Sequence, residues 1–309
     1  MGVGSVPASL VVNVRRLVVV VVMISLAGLV PMPAAAPSHD TATVAATAVA
    51  RDRCGPILRK SNGNRWRCSF VENFKGRKLN RDKWIVQEST KSRFNTGLTC
   101  YMDSTRNIKV RRGKLRLITR KGPTKVCGAY KALVTRFTGG MIGTKGHFSQ
   151  TYGRFEVRAK FPASKESGLQ AAFWMYPVEK KYGQWPESGE IDVAEWWSRY
   201  PHLVMPSLHY DGRVKKFDSG RQCKVRDVAR FHTYRVLWRP DIMRFYIDGR
   251  QCFARSWTPN PPQERPQPFD HPFSMILHMG VTQYYRETRI TNRTEFPSAL
   301  VVDYAKAWR

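Results

Sequence analysis

Three carboxylates, Glu190, Asp192 and Glu195, fall within the nine-residue stretch GEIDVAEWW (189–197) of a chain that carries 52 Lys and Arg against 23 Asp and Glu. Carboxylates paired on one surface can cleave glycosidic bonds. One stays protonated and donates to the leaving oxygen, while the other is ionised and acts as nucleophile or base. Read as a strand, the stretch has a phase problem, because alternation puts Glu190 and Asp192 on one face and Glu195 on the other. A β-bulge, which inserts one extra residue, returns Glu195 to the side of the other two. The Glu190 and Glu195 Cα atoms then stand about 13 Å apart at roughly 3.3 Å per residue. On a concave sheet, two leaning Glu side chains close that gap to the ~5–5.5 Å of a retaining pair. Like charges so close cannot all ionise, so one carboxyl is expected to keep its proton near neutral pH. Spacing alone leaves an acidic stripe paired with arginines equally open. The aromatic company of Trp174, Tyr176, Tyr182, Trp185, Trp196 and Trp197 tips the reading toward a sugar cleft, although any one of these rings is as readily a core residue.

The elements that must hold such a cluster are strands. In GRFEVRAKF (153–161), Phe155, Val157, Ala159 and Phe161 point one way, and Arg154, Glu156, Arg158 and Lys160 the other. YRVLW (234–238) and RFYI (244–247) have strand composition, and Asp248-Gly249 offers a type I′ turn into RQCFA. KLRLIT (114–119) and ALVVDYAKAW (299–308) repeat the signal. No window of helical length carries a clean 3.6-residue apolar stripe, so the predicted class is all-β. About 255 residues of short strands without a second linker fit one β-jelly-roll sandwich of two antiparallel sheets, with an open concave cleft.

Ahead of this domain, Arg15 and Arg16 precede an apolar run from Leu17 to Val30, followed by Pro31 and Ala34–Ala36. That is the order of a secretory signal peptide over 1–36, and the run is shorter than the roughly 20 residues of a bilayer-spanning helix. Residues 37–53, rich in Ala and Thr, read as a disordered linker, and 54–309 as the catalytic domain. All six cysteines follow the signal, as expected of a secreted, extracellular chain. Sequence-local pairing predicts Cys54–Cys68, Cys100–Cys127 and Cys223–Cys252, although six cysteines allow about 15 combinations. The formal charge is +29; without Arg15 and Arg16 the count is 50 basic against 23 acidic residues, or +27. The cations are dispersed, with no RNP motif, zinc finger or basic helix, so no specific nucleic-acid partner is expected. Attraction to an anionic cell envelope or acidic polymer and simple solubility are equally open readings of this charge.

Beyond spacing, several segments resemble glycoside hydrolase family 16, the laminarinase-like endo-glycanases. Glu190, Asp192 and Glu195 match its bulged acidic pattern, and FSQTYGRFEVRAKFP (148–162), GLQAAFWMYP (168–177) and WPESGEID (185–192) resemble the strands around it. SLHY (207–210), FHTYRVLWRPDIMRFYIDG (231–249) and FPSALVVDYAKAW (296–308) follow in the family's order. The resemblance implies a jelly roll with an open cleft and an endo-hydrolase acting with retention on a β-1,3 or mixed-linkage β-glucan. It implies Glu190 as nucleophile, Glu195 as acid and then base, and Asp192 as the group orienting the nucleophile. Trp185 and Trp174 are expected to bind sugar, and His209 to meet the leaving-group side. The resemblance implies no cofactor for catalysis, but a structural calcium ion at Glu72 and Asp303. Two departures mark the cleft: Gln170 stands where the family usually has Trp, and Leu277 to Gln283 replaces its Leu-Asn-Leu-Ala-Val-Gly-Gly. These changes and the charge keep open an anionic or galactan-type polysaccharide substrate, by hydrolysis or transglycosylation. From another class, a lectin-like module that binds glycan without cutting it stays open. A monomer is expected.

Overall fold

The computed structural model describes residues 51–92, 94–128, 133–283 and 285–309; the expected signal peptide and all but the end of the linker lie outside them. Strand alternation organises what is described. In GRFEVRAK the apolar set Phe155, Val157 and Ala159 is buried in the core, while Arg154, Arg158 and Lys160 stay partly exposed. In chain order the strands that build the sheets are β1 (Cys68–Glu72), β2 (Ile108–Arg111), β3 (Lys114–Cys127), β4 (Leu133–Gly143), β5 (Gly153–Lys160), β6 (Leu169–Pro177), β7 (Glu190–Trp197), β8 (Val204–His209), β9 (His232–Trp238), β10 (Met243–Ile247), β11 (Arg250–Arg255), β12 (Phe273–Val281) and β13 (Ser298–Trp308). The described helix is one turn at Ser89–Ser92 and a 3-10 turn at Arg286–Thr288. Arg51–Asp52 pairs with Gly55–Pro56, so the end of the expected linker joins the folded unit.

Hydrogen bonding runs in the order β8-β7-β6-β12-β4-β3-β13-β5-β9-β10-β11, with β1 added to β13 and β2 to β3. The long strands β3 and β4 carry this path from one layer to the other. β3 pairs with β13 through Leu115–Thr119 and with β4 through Arg120–Cys127, and β4 reaches β12 through Gly140–Gly143. Between the layers, Leu169, Ala171, Phe173 and Met175 of β6 share one core with Phe155 and Val157 of β5 and Tyr234, Val236 and Trp238 of β9. Each such large side chain contributes about 1.5–3 kcal/mol on burial. The alternate residues of β6, Gln170, Ala172 and Trp174, face away from this core. Ala172 and Trp174 form a smaller cluster with Tyr101 and Met141. The result is the predicted all-β jelly-roll sandwich, with one outer face carrying the acids and the other the cations.

The predicted hairpin forms at Asp248-Gly249, where φ is +49° and +81°; both values lie in the left-handed region that a type I′ turn needs and glycine adopts without strain. The disulfides are Cys54–Cys68, Cys100–Cys127 and Cys223–Cys252. Cys100–Cys127 closes a 27-residue separation. Replacing both of its cysteines by Ala is expected to lower unfolding free energy by about 3 kcal/mol, measured by denaturant titration.

Candidate active site

The site is built by a change of register in β7. Against β8, Asp192 sits opposite Ser207 and Glu195 opposite Met205; against β6, Asp192 sits opposite Trp174 and Ala194 opposite Phe173. Val193 is the extra residue. Val193 and Ala194, adjacent in sequence, both enter the core cluster, which apolar side chains do at no desolvation cost. Glu190, Asp192 and Glu195 are thereby left together on the outer face.

Each acid has a specific partner. The Trp185 indole N–H donates to Glu190 Oε2 at 2.9 Å, the Gln170 amide donates to Glu195 Oε1 at 2.6 Å, and His209 Nε2 meets Asp192 Oδ2 at 2.9 Å. Burial, and next the charge of Asp192, push the Glu190 carboxyl up to about 8. The same two causes hold Glu195 well above the usual carboxylate range, with the Gln170 hydrogen bond pulling the other way. Arg213 tempers both from a fixed position, donating through Nε to Leu208 O at 2.6 Å and through Nη2 to Ser219 Oγ at 2.9 Å. Burial opposes the His209 imidazolium, but the Asp192 hydrogen bond and charge outweigh it and raise its pKa. The acids therefore hold fewer charges than carboxyls. The two glutamates titrate as a pair, and its singly ionised form leaves a carboxylate and a proton donor side by side.

The remaining predicted site residues fall in different places. Trp185 is 54% exposed, with its ring 5.7 Å from that of His209, so it offers a free aromatic face next to Glu190. Trp174 lies on the same face but is only 7% exposed. Phe94 stacks on it at 6.5 Å and Tyr176 meets its edge, so it is a floor and not the open platform expected. Gln170 is buried, and its Oε1 has no hydrogen-bond partner. Gln283 does not join the acids; it lines an exposed cavity of about 790 Å³ with Asn95, Gly97 and Arg289.

Glu72 and Asp303 do not fit a calcium site. Asp303 is held by Lys114 at 2.8 Å and Arg158 at 2.5 Å, and Glu72 accepts from the Phe74 N–H and faces Lys83 at 3.6 Å. Their negative charge is already answered by side-chain cations. Glu190, Asp192 and His209 bring donor atoms within 4.8 Å of one another, but the hydrogen bonds above engage all three. Chelator treatment is expected to leave both activity and Tm unchanged, as a reducing-end assay and calorimetric melts with chelator and with added calcium would show.

Two residues that sequence reasoning did not place belong here. Arg213 sits in a loop with no periodic signal. His278, part of the atypical LHMGV stretch, is 4% exposed with both ring nitrogens unpartnered, and burial lowers its pKa to about 4. It is a neutral imidazole beneath the cleft.

A concave β-sandwich whose bulged strand presents a proton-sharing acid pair under an exposed Trp is the architecture of a glycoside hydrolase. Residues 84–304 match the model of glycosyl hydrolases family 16, and the chain belongs to that family. It is 30% identical over 263 residues to a glucan endo-1,3-beta-glucosidase A1 of Niallia circulans, covering 78% of this chain and 37% of the relative. It is 33% identical over 181 residues to a beta-glucanase of Rhodothermus marinus, covering 56% of this chain and 63% of the relative. The chain thus spans less than two thirds of either relative's length. Among solved structures, the laminarinase of Rhodothermus marinus aligns with a TM-score of 0.66 and 28% identity, over 79% of this chain and 97% of that one.

Proposed function

We propose that the protein is a secreted endo-hydrolase of β-1,3 or mixed-linkage β-glucan that works with retention. The observation that carries the reading is the bulge at Val193, which sets Glu190 and Glu195 on one face with Asp192 between them, where burial and the Asp192 charge raise the pKa of both. In the first step Glu190, ionised, attacks the anomeric carbon as Glu195 gives its proton to the departing oxygen. In the second, Glu195 takes a proton from water, the water oxygen bonds to the anomeric carbon, and Glu190 is released. Asp192 keeps the pair from ionising together and, through its hydrogen bond to His209, holds the wall of the site. Trp185 provides the aromatic face for a sugar next to the scissile bond. The glucanase relatives support the substrate class, and the apolar N-terminal run with three disulfides supports secretion.

The test is to incubate the protein with laminarin, lichenan, agarose and carrageenan and to measure new reducing ends and product lengths. Oligosaccharides from laminarin or lichenan, with the β-anomer formed first by NMR, are expected. Release from agarose or carrageenan alone would move the substrate to a galactan, the reading that the polar Gln170 in the cleft favours. Binding without release from any polymer would refute hydrolysis.

A further inference from the structure

The outer face of the layer away from the acids holds a groove of about 880 Å³ that no acidic residue lines. Arg154, Arg235, Arg239 and Arg244 line it together with Arg59, Lys60 and Arg309. A second cavity of about 910 Å³ shares Lys60, Trp66 and Arg309 with it. That cavity adds Arg53, Arg65 and Arg67 against one acid, Asp52. The two make a continuous cationic trough. Its cations lie against rings: Lys60 Nζ is 4.7 Å from the Trp66 ring centre, and the guanidinium groups of Arg235 and Arg154 are 4.0 and 4.9 Å from those of Tyr246 and Trp308. Arg154 and Arg235 also have charge left over: Glu156 is engaged by Arg154 at 2.5 Å and approached by Arg235 at 3.9 Å, so one carboxylate faces two guanidinium groups. Burial and the neighbouring Arg154 lower the pKa of Arg235, so like charge is held here at a cost that an incoming anion would relieve.

We infer that this trough is a second glycan site, distinct from the cleft, that binds a linear acidic polysaccharide through its carboxylates. Guanidinium forks match carboxylate geometry, and a polyuronate alternates one carboxylate per sugar with apolar C–H surface, as the trough alternates cations with aromatic rings. Duplex DNA matches less well, because it presents phosphates with its base faces stacked inside, and so leaves the rings between the cations without a partner surface. A chain held there on one layer leaves the cleft on the other layer open, so the enzyme would stay attached to an acidic matrix while its cleft works. The site does not depend on the cleft chemistry.

The test uses the full folded chain and a fluorescent short polygalacturonate, with binding followed by anisotropy. Wild type and Glu190→Gln are expected to bind alike, and affinity to fall as salt rises. The double change Arg239→Glu and Arg244→Glu is expected to weaken binding about tenfold or more, with cleavage of the neutral glucan unchanged. Trp66→Ala, which removes no charge, should also weaken it. Arg221→Glu with Lys224→Glu, an equal charge change on exposed residues beside β8, should have little effect. The proposal is overturned if the two double variants lose affinity equally, if laminarin displaces the polyuronate, or if duplex DNA binds more tightly at equal charge.

Discussion

Glu190→Gln is expected to lower kcat on the cleaved glucan by about a thousandfold or more, with KM little changed. The amide keeps the size of the carboxyl and can still accept from the Trp185 indole, so the cleft retains its shape while losing the oxygen that attacks carbon in the proposed mechanism. Glu195→Gln is expected to fall as far on polysaccharide but much less on an aryl glycoside, whose leaving group needs no proton. A second readout tests the raised pKa of Glu190 apart from turnover. A carboxyl whose folded pKa lies above its unfolded value stabilises the fold fully only below the unfolded value, and that contribution is lost as pH rises through the folded one. Glu190 is pushed up to about 8 from an ordinary 4.5, so Glu190→Gln should raise Tm at pH 8 and leave it unchanged at pH 4. Thermal melts at the two pH values check this. A variant with normal turnover, or with lower stability at pH 8, would refute the assignment.

What the sequence disclosed follows physical rules of short range. The phase error in GEIDVAEWW was legible because strand alternation is strict, so one surplus residue shows as a displaced carboxylate, and the register shift lies between Asp192 and Glu195. Asp248-Gly249 was legible because few residue pairs adopt two positive φ angles in succession. The disulfides happened to join near neighbours in sequence. What stayed hidden depends on packing between distant segments. Trp174 resembles a sugar platform until Phe94, 80 positions earlier, lies across it. Asp303 resembles a calcium ligand until Arg158 of the neighbouring strand and Lys114 of β3 claim both of its oxygens. Arg213 has no pattern of its own, and its role comes from a loop whose path is fixed by hydrogen bonds to Leu208 and Ser219. The cationic trough was present only as a net charge, because its members come from the N-terminal segment, β5, β9, β10 and the last residue.

Asp192→Asn tests the electrostatic core of the site, since it removes one charge and keeps the bulge. Burial is the largest cause of the raised Glu190 and Glu195 pKa values, and the Asp192 charge is the next, so both should fall when that charge goes. The acid limb of the pH–kcat/KM profile reports ionisation of the pair's first carboxyl, and the alkaline limb reports loss of its last proton. Both limbs are therefore expected to move to lower pH together. His209 also loses the partner that outweighs its burial, so its imidazole becomes neutral at lower pH and its ring is freed to turn. At neutral pH the variant should then have less protonated Glu195 available and a less fixed wall, with kcat down about a hundredfold. A merely structural Asp192 would lower kcat at every pH and leave both limbs in place. That outcome would leave burial as the one source of the proton that the pair keeps.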